Sequence, residues 1–286
     1  MRKVQLGTIV IPTDFSKASK VALGFAQGLA QQYGFDLSLI HIFPYVAHHR
    51  YAAPVGWMIA DLRARSRRRL MAAKAKLLAS GTGIRCSLVD SAGDIPGQII
   101  NTAVAEGASL IVMGTHSRDG VERFLVGSTA EEVLRHAVLP VIVVGPHVKD
   151  YSRRKIQTLV YATDLSARSL GVLRILPLLM AGDTRLSVVH VREDQAHAPA
   201  SMGWEVSVRN SLLGVLPAEV LESRVDFKTL EGDDPSRAVE RHLKLIHADL
   251  LLIGVHKGRG MTTHMAPRTG FRMIMAAPCA VLSICE

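Results

Sequence analysis

This sequence predicts two tandem α/β domains, each a doubly wound parallel sheet of five strands with about four helices. Three observations carry that prediction. The chain has 286 residues, close to two domains at roughly 150 residues each. A set of short motifs in the first half returns in the same order in the second. Within each half, short β-branched apolar runs alternate with longer amphipathic stretches, which is the pattern of right-handed strand–helix–strand units.

The repeat reads directly from the residues. Gly7–Ser16 (GTIVIPTDFS) matches Gln157–Ser166 (QTLVYATDLS). Leu39–Ile42 matches Val188–Val191, Gly93–Asp94 matches Gly232–Asp233, Ala108–Gly114 matches Ala248–Gly254, and Val138–Val144 matches Pro278–Ile284. Asp14 to Asp164 is 150 residues and Gly114 to Gly254 is 140, so ten residues have dropped out of the second copy between these points. One domain is expected over 1–147 and the other over 154–286, joined by the Pro-, Lys- and Arg-bearing stretch Gly145–Lys155.

In the first copy, strands are expected at 6–12, 36–43, 84–90, 109–114 and 140–144. Leu110–Met113 is apolar on both faces, as a strand covered by helices on each side must be. Helices are expected at 17–33, opened by Ser16 as capping residue, at the Ala- and Leu-rich 56–80, at 94–106 and at 127–137. The second copy's helix near 201–221 is weaker, because Gly214 and Pro217 interrupt it.

Hydrophobic residues at 48% and charged residues at 21% describe an ordinary globular chain. No apolar stretch reaches the roughly 18 residues of a membrane span, and Met1–Pro12 lacks a small-residue cleavage site, so a cytoplasmic location is expected. Cys86, Cys279 and Cys285 have neither disulfide nor zinc spacing. Much of the +9 net charge sits in the run Arg63–Arg69 with Lys74 and Lys76. On a helix these cations spread around several faces without interleaved aromatics, which favours a solvated face over a nucleic-acid or acidic-partner patch.

In an open α/β sheet, ligands bind beyond the carboxyl ends of the strands where strand order switches. Pro12-Thr13-Asp14 and Met113-Gly114-Thr115-His116-Ser117 fall at such ends, and Gly127-Ser128-Thr129 opens the helix that follows. Asp14 reads either as an acceptor for ribose hydroxyls or as a helix cap. Gly114 would let the backbone turn and approach a ligand. The free N–H groups of a helix start attract phosphate, yet Ser128-Thr-Ala-Glu131 also has the spacing of a capping box that would satisfy them internally. Neither a Walker A nor a G-x-G-x-x-G pattern occurs. His41 and His190 are equivalent strand ends, and neither they, His48-His49 nor His116 have metal-ligand spacing. Met261, Met265, Met273 and Met275 read as core packing.

Taken together, V-I-P-T-D-F-S, the H-I pair and M-G-T-H-S-R…G-S-T-A-E-E-V-L-R-H-A…V-I-V-V resemble the universal stress protein family across nearly the whole chain, as two copies. The resemblance implies a Rossmann-like fold of the adenine nucleotide alpha hydrolase type and a regulatory role rather than an enzyme. The family's ATP-binding members carry G-x2-G-x9-G-[ST], which here becomes Gly114-x2-Ser117-x9-Gly127-Ser128. Carried over by position, Asp14 would contact the ribose and the Ile42 backbone the adenine. Pro12, Thr13 and Met113 would line the base pocket, and Gly114, Ser117, Gly127, Ser128 and Thr129 would hold the phosphates of ATP with Mg2+. Ser117 departs from the family's glycine. In the second copy Lys257 takes that place and Pro267-Arg268 replaces Gly127-Ser128, so ATP is expected in the first domain only. The family's edge strand pairs between protomers. Here the two copies can pair within one chain, with a homodimer of the whole chain also open.

Three other functions compete with the ATP-regulated module. They are a nucleotide-independent interaction scaffold, a slow ATPase with His116 as the nearby base, and a nucleic-acid binder using Arg67, Arg68 and Arg69.

Overall fold

The computed structural model describes residues 7–44, 56–79, 81–91, 93–115, 127–148, 155–166, 169–192, 203–255 and 269–285. The first half runs β1 (Thr8–Pro12), α1 (Lys17–Tyr33), β2 (Asp36–Pro44), α2 (Gly56–Ala79), β3 (Ile84–Ser91), α3 (Ile95–Ala105), β4 (Ala108–Gly114), α4 (Ser128–His136) and β5 (Val141–Val144). These ends fall within two residues of those read from sequence. The second half begins with β6 (Thr158–Ala162), a 3-10 stretch over Ser169–Ile175, α5 (Leu176–Leu179) and β7 (Arg185–Arg192). It continues with α6 (Gly203–Leu213), α7 (Ala218–Arg224), β8 (Val225–Glu231), α8 (Pro235–Leu245), β9 (Leu250–Val255), α9 (Thr269–Ala276) and β10 (Ala280–Cys285).

Local chemistry sets these boundaries. The Ser16 hydroxyl accepts from the N–H of Ser19 at 3.2 Å and so caps α1. At the other end Gly34 takes a left-handed φ of 83° and donates to Ala30 O, closing the helix. Between them Ala22, Phe25, Ala26 and Leu29 form one buried stripe against the sheet. The expected 201–221 helix is two pieces, broken at Gly214–Pro217 as those residues dictate. The counterpart of α1 in the second half is only a 3-10 stretch and one short turn of helix, because Pro177, where α1 has Gln27, cannot sit in a helix interior and falls instead in the first turn of α5.

All ten strands join one sheet in the order β3-β2-β1-β4-β5-β10-β9-β6-β7-β8. Every pairing is parallel except that of β5 with β10, which is antiparallel with Val143 opposite Val281 and Ile142 opposite Leu282. Each half therefore has the strand order 3-2-1-4-5, and the two apolar edge strands cover one another inside the chain. Two hydrophobic layers run the full length of the sheet. Ile9, Phe25, Leu70, Leu159, Leu176 and Leu252 lie in one, and Val10, Ile40, Ile99, Val133, Val160 and Ile274 in the other. The joint between the halves is thus part of the core.

Candidate functional site

Strand order reverses between β1 and β4 and again between β6 and β9, the places where an open α/β sheet is expected to leave a crevice beyond its carboxyl ends. The turn leaving β1 is built from its own side chains. The Thr13 hydroxyl donates to Ser19 Oγ at 3.0 Å and accepts the Phe15 N–H at 3.0 Å. Asp14 Oδ1 accepts the Ser16 N–H at 2.9 Å, which fixes an exposed carboxylate at the mouth of the crevice. Phe15 sits at φ 64°, a left-handed conformation that reverses the chain at a cost of about 1–2 kcal/mol. His41 supports the turn from β2: its Nδ1 donates to Thr13 O at 2.6 Å, which leaves Nε2 to accept from the Ser66 hydroxyl at 3.2 Å. The cap of α1 is Ser16, so Asp14 is not spent as a helix cap.

The other residues expected on the base side gather at the same end. Pro12 ends β1, and Ile42 lies two residues beyond Ile40, the last β2 residue paired with β1. Ile40 O accepts the Thr13 N–H at 2.8 Å, so the backbone groups of Ile42, of the same parity, face the same side past the end of β1. Met113 and Ile42 are buried in the layer that also contains Ala130 and Val133 of α4. Gly114 has a different explanation from the one read in sequence. It does not take a positive φ, and a Cβ there would lie 2.4 Å from Ala18 O of α1. Packing against α1 already demands glycine at this position.

Thr115 was not singled out in sequence as a binding residue. It is 3% exposed, follows β4 directly, and its hydroxyl has no hydrogen-bond partner among the described residues. A buried orphan hydroxyl is uncommon and costs about 1–3 kcal/mol if left unpaired. Nothing in the sequence distinguishes it from a threonine in an ordinary turn.

The start of α4 corrects the capping-box expectation. The N-cap is Gly127, one residue earlier than that motif requires, and no side chain caps the helix. Ser128 is the first helical residue, with Thr129 beside it, and Glu131 turns forward to Arg135 at 2.6 Å instead of back to the helix start. Among the described residues nothing takes up the donors of this first turn, and Arg135 offsets the charge of Glu131. Gly127 has an ordinary φ of −55°, and a Cβ there would meet nothing within 4 Å. No described residue demands glycine at 127, in contrast to 114. Ser117 and His116 lie outside the described residues.

In the second half the turn after β6 repeats most bonds of the first, except that the Ser166 hydroxyl donates to Asp164 Oδ1 at 2.6 Å where the Ser16 hydroxyl donates to Ser19 Oγ at 3.3 Å. Thr163 Oγ1 and Ser169 Oγ are 2.8 Å apart, Leu165 N–H donates to Thr163 Oγ1, Ser166 N–H donates to Asp164 Oδ1, and Leu165 has φ 64°. His190 Nδ1 lies 3.0 Å from Thr163 O, as His41 does with Thr13. Burial pushes the Asp164 carboxyl up, but hydrogen bonds from the Ser166 hydroxyl and N–H outweigh it and hold the group below its ordinary range. A cavity of about 310 Å³ opens here, lined by Thr163, Asp164, His190, Val191, Ile253, Gly254 and the first turn of α9. Lys257, Pro267 and Arg268 lie outside the described residues. One match shifts by a residue: Gly93 and Gly232 both have positive φ, but the helix-capping partner of Asp94 is Asp234, not Asp233.

The basic run lies on α2, where Arg63 pairs with Asp90 at 2.7 Å, Arg65 with Asp61 at 2.6 Å, and Arg69 stacks 4.7 Å over the Phe15 ring. Arg67 and Arg68 are exposed. Met275 is buried in the core with Met273 packed against it, while Met261 and Met265 lie outside the described residues. Cys86 and Cys279 are free thiols, and burial pushes that of Cys279 up to about 12. Among the described residues no three His, Cys, Asp or Glu side chains converge on a metal-sized site, and no helix is long and apolar enough to cross a membrane.

Comparison with known proteins agrees with this architecture. A universal stress protein of Methanocaldococcus jannaschii is 31% identical over 142 residues, half of this chain and 84% of the relative. Universal stress protein G of Escherichia coli O157:H7 is 30% identical over 142 residues, 48% of this chain and 97% of its own length. A crystal structure of a universal stress protein from Archaeoglobus fulgidus covers 99% of the chain and 97% of its own, with a TM-score of 0.74 at 20% identity, a likeness of fold. The sequence model of the universal stress protein family matches residues 6–145 and again 155–284. The chain therefore belongs to the universal stress protein family, as a tandem of two of its domains.

Proposed function

We propose that the unit at residues 1–147 holds ATP as a regulatory ligand in a cytoplasmic stress or signalling response, and that the unit at 154–286 is a partner half without a working phosphate loop. The observation that carries this reading is the start of α4. The helix begins without a side-chain cap, at a glycine that no described residue demands. An anion is the natural partner for such donors. Asp14, held outward by the Ser16 N–H, suits ribose hydroxyls, and the open backbone edge at Ile42 suits the adenine rim. Met113 and Pro12 would bound the base, with Thr13 holding the Asp14 turn. Ser128 and Thr129, and Ser117 by its sequence position, would meet the phosphates together with the orphan hydroxyl of Thr115. The described residues form no metal cage, so Mg2+ would arrive on phosphate oxygens.

The competing reading is a nucleotide-independent scaffold, favoured by Gly114, since packing alone explains that motif glycine. Equilibrium dialysis with labelled ATP separates the two. Saturable binding by the wild type, lost in Asp14→Ala with Gly127→Pro, supports the nucleotide reading. No binding by the wild type, or binding that the double variant leaves intact, supports the scaffold.

A further inference from the structure

We propose that the outward face of α2 is a docking surface for an acidic amphipathic helix of a partner protein. α2 is 24 residues, about 36 Å at 1.5 Å per residue. Its inner side is committed to the sheet through the buried Leu70 and Leu77. Its outer side repeats every seven residues as Trp57, Ala64, Met71 and Leu78, of which Trp57, Met71 and Leu78 are 71%, 46% and 51% exposed. A row that returns every seven residues supplies one of the two rows of a helix–helix seam, and the other is here Ala60, Arg67 and Lys74, so the seam is half apolar and half basic. Exposed Ala60, Ala64 and Ala75 between the large side chains leave room for a close backbone approach.

Charge decides what kind of helix fits. Arg67 and Arg68 stand exposed at the centre of the face with no ion partner among the described residues, whereas Arg63, Arg65 and Arg69 are engaged by Asp90, Asp61 and Phe15. A second copy of this chain fits poorly, because the midpoint of α2 falls between Arg67 and Arg68 and a two-fold axis there would set like charges face to face. A lipid surface fits poorly too, since between Trp57 and Met71 this face carries only Ala60 and Ala64 as apolar side chains and supplies little continuous depth. Acidic side chains facing the two arginines, on a helix with its own apolar row, complement the face in both shape and charge. The second half offers no equivalent, because α6 and α7 are separate short helices.

The test uses the full chain, a synthetic helical peptide with leucines in heptad spacing and glutamates elsewhere, a scrambled peptide of the same composition, and vesicles rich in phosphatidylserine. Trp57 is the reporter, because the other tryptophan, Trp204, is 6% exposed and does not see the surface. The peptide is expected to shift Trp57 emission to the blue, with affinity falling about tenfold or more in Arg67→Glu/Arg68→Glu and in Met71→Ser. A lysine-for-glutamate peptide is expected to bind the Arg67→Glu/Arg68→Glu protein better than the wild type. Equal binding of the scrambled peptide, unchanged affinity in the charge-reversed variant, or a shift produced by vesicles but not by the peptide would overturn the proposal.

Discussion

The two halves keep the same turn and the same sheet order and differ in the helices that cover one face of the sheet. After β1 and after β6, a threonine, an aspartate and two serines share most of their hydrogen bonds around a residue at φ 64°, with a histidine from the next strand against the threonine carbonyl. Only the first serine's hydroxyl differs, donating to Ser19 in one turn and to Asp164 in the other. Yet the first turn leads into the 17-residue α1 and the second into a 3-10 stretch. The 24-residue α2 likewise corresponds to two short helices, α6 and α7. The turn therefore owes its shape to its own side chains and to the strand ends. An exposed carboxylate after the first strand can persist while the helices covering one face diverge.

If the β5–β10 joint makes one core of the two halves, Leu282→Ala should cost about 2–5 kcal/mol, because Leu282 is fully buried there. Denaturant unfolding should shift as a single transition. A separate early transition would show that the halves are energetically independent. Gly114→Ala comes next at about 1–3 kcal/mol, since the new methyl meets the Ala18 carbonyl and α1 must move. Gly127→Ala, with open space around its Cβ, should leave thermal stability nearly unchanged. Equal losses from the two substitutions would remove the distinction between a packing glycine and a site glycine.

The strands were legible because their apolar runs are short and bounded, and α1 because Ser16 caps it. The start of α4 misled for a physical reason. Ser128 and Glu131 have capping-box spacing, but the helix begins one residue early for it and Arg135 captures the glutamate. The loss of α1's counterpart was written in Pro177, whereas Gly171 is no signal, since α1 itself tolerates Gly24 and Gly28. The role of Gly114 was not legible, because the close approach of Ala18 is a tertiary fact. The doubled pattern Thr-Asp-x-Ser-x-x-Ser, at Thr13–Ser19 and Thr163–Ser169, was present in the sequence as the signal for the shared turn.

Acid should separate the halves. His242 of α8 is buried against the Ser187 hydroxyl, which also donates to Asp226. Burial, and then the charge of Lys228, hold its pKa below the ordinary 6.5 despite Asp226. The unfolded chain therefore binds the extra proton first, so this contribution is intact above about pH 6.5 and is lost as pH falls below it. Thr102 stands at the equivalent place in α3 and does not titrate. Hydrogen exchange is expected to show α8 opening before α3 as pH drops toward 5, with the difference reduced in His242→Gln. Identical acid profiles would contradict this. The smallest effect expected is at the left-handed residues. Leu165→Gly relieves an exposed strained position and should stabilise by up to about 1 kcal/mol. Phe15→Gly should gain less, because Phe15 also packs on Arg69 and His41.

The central claim is that the first crevice binds nucleotide and the second, with the same turn, does not. Calorimetric titration of the full-length protein with ATP counts the sites directly. One site per chain is predicted, lost in Asp14→Ala/Gly127→Pro and retained in Asp164→Ala. Two sites, none, or a single site that disappears with Asp164→Ala would contradict the account.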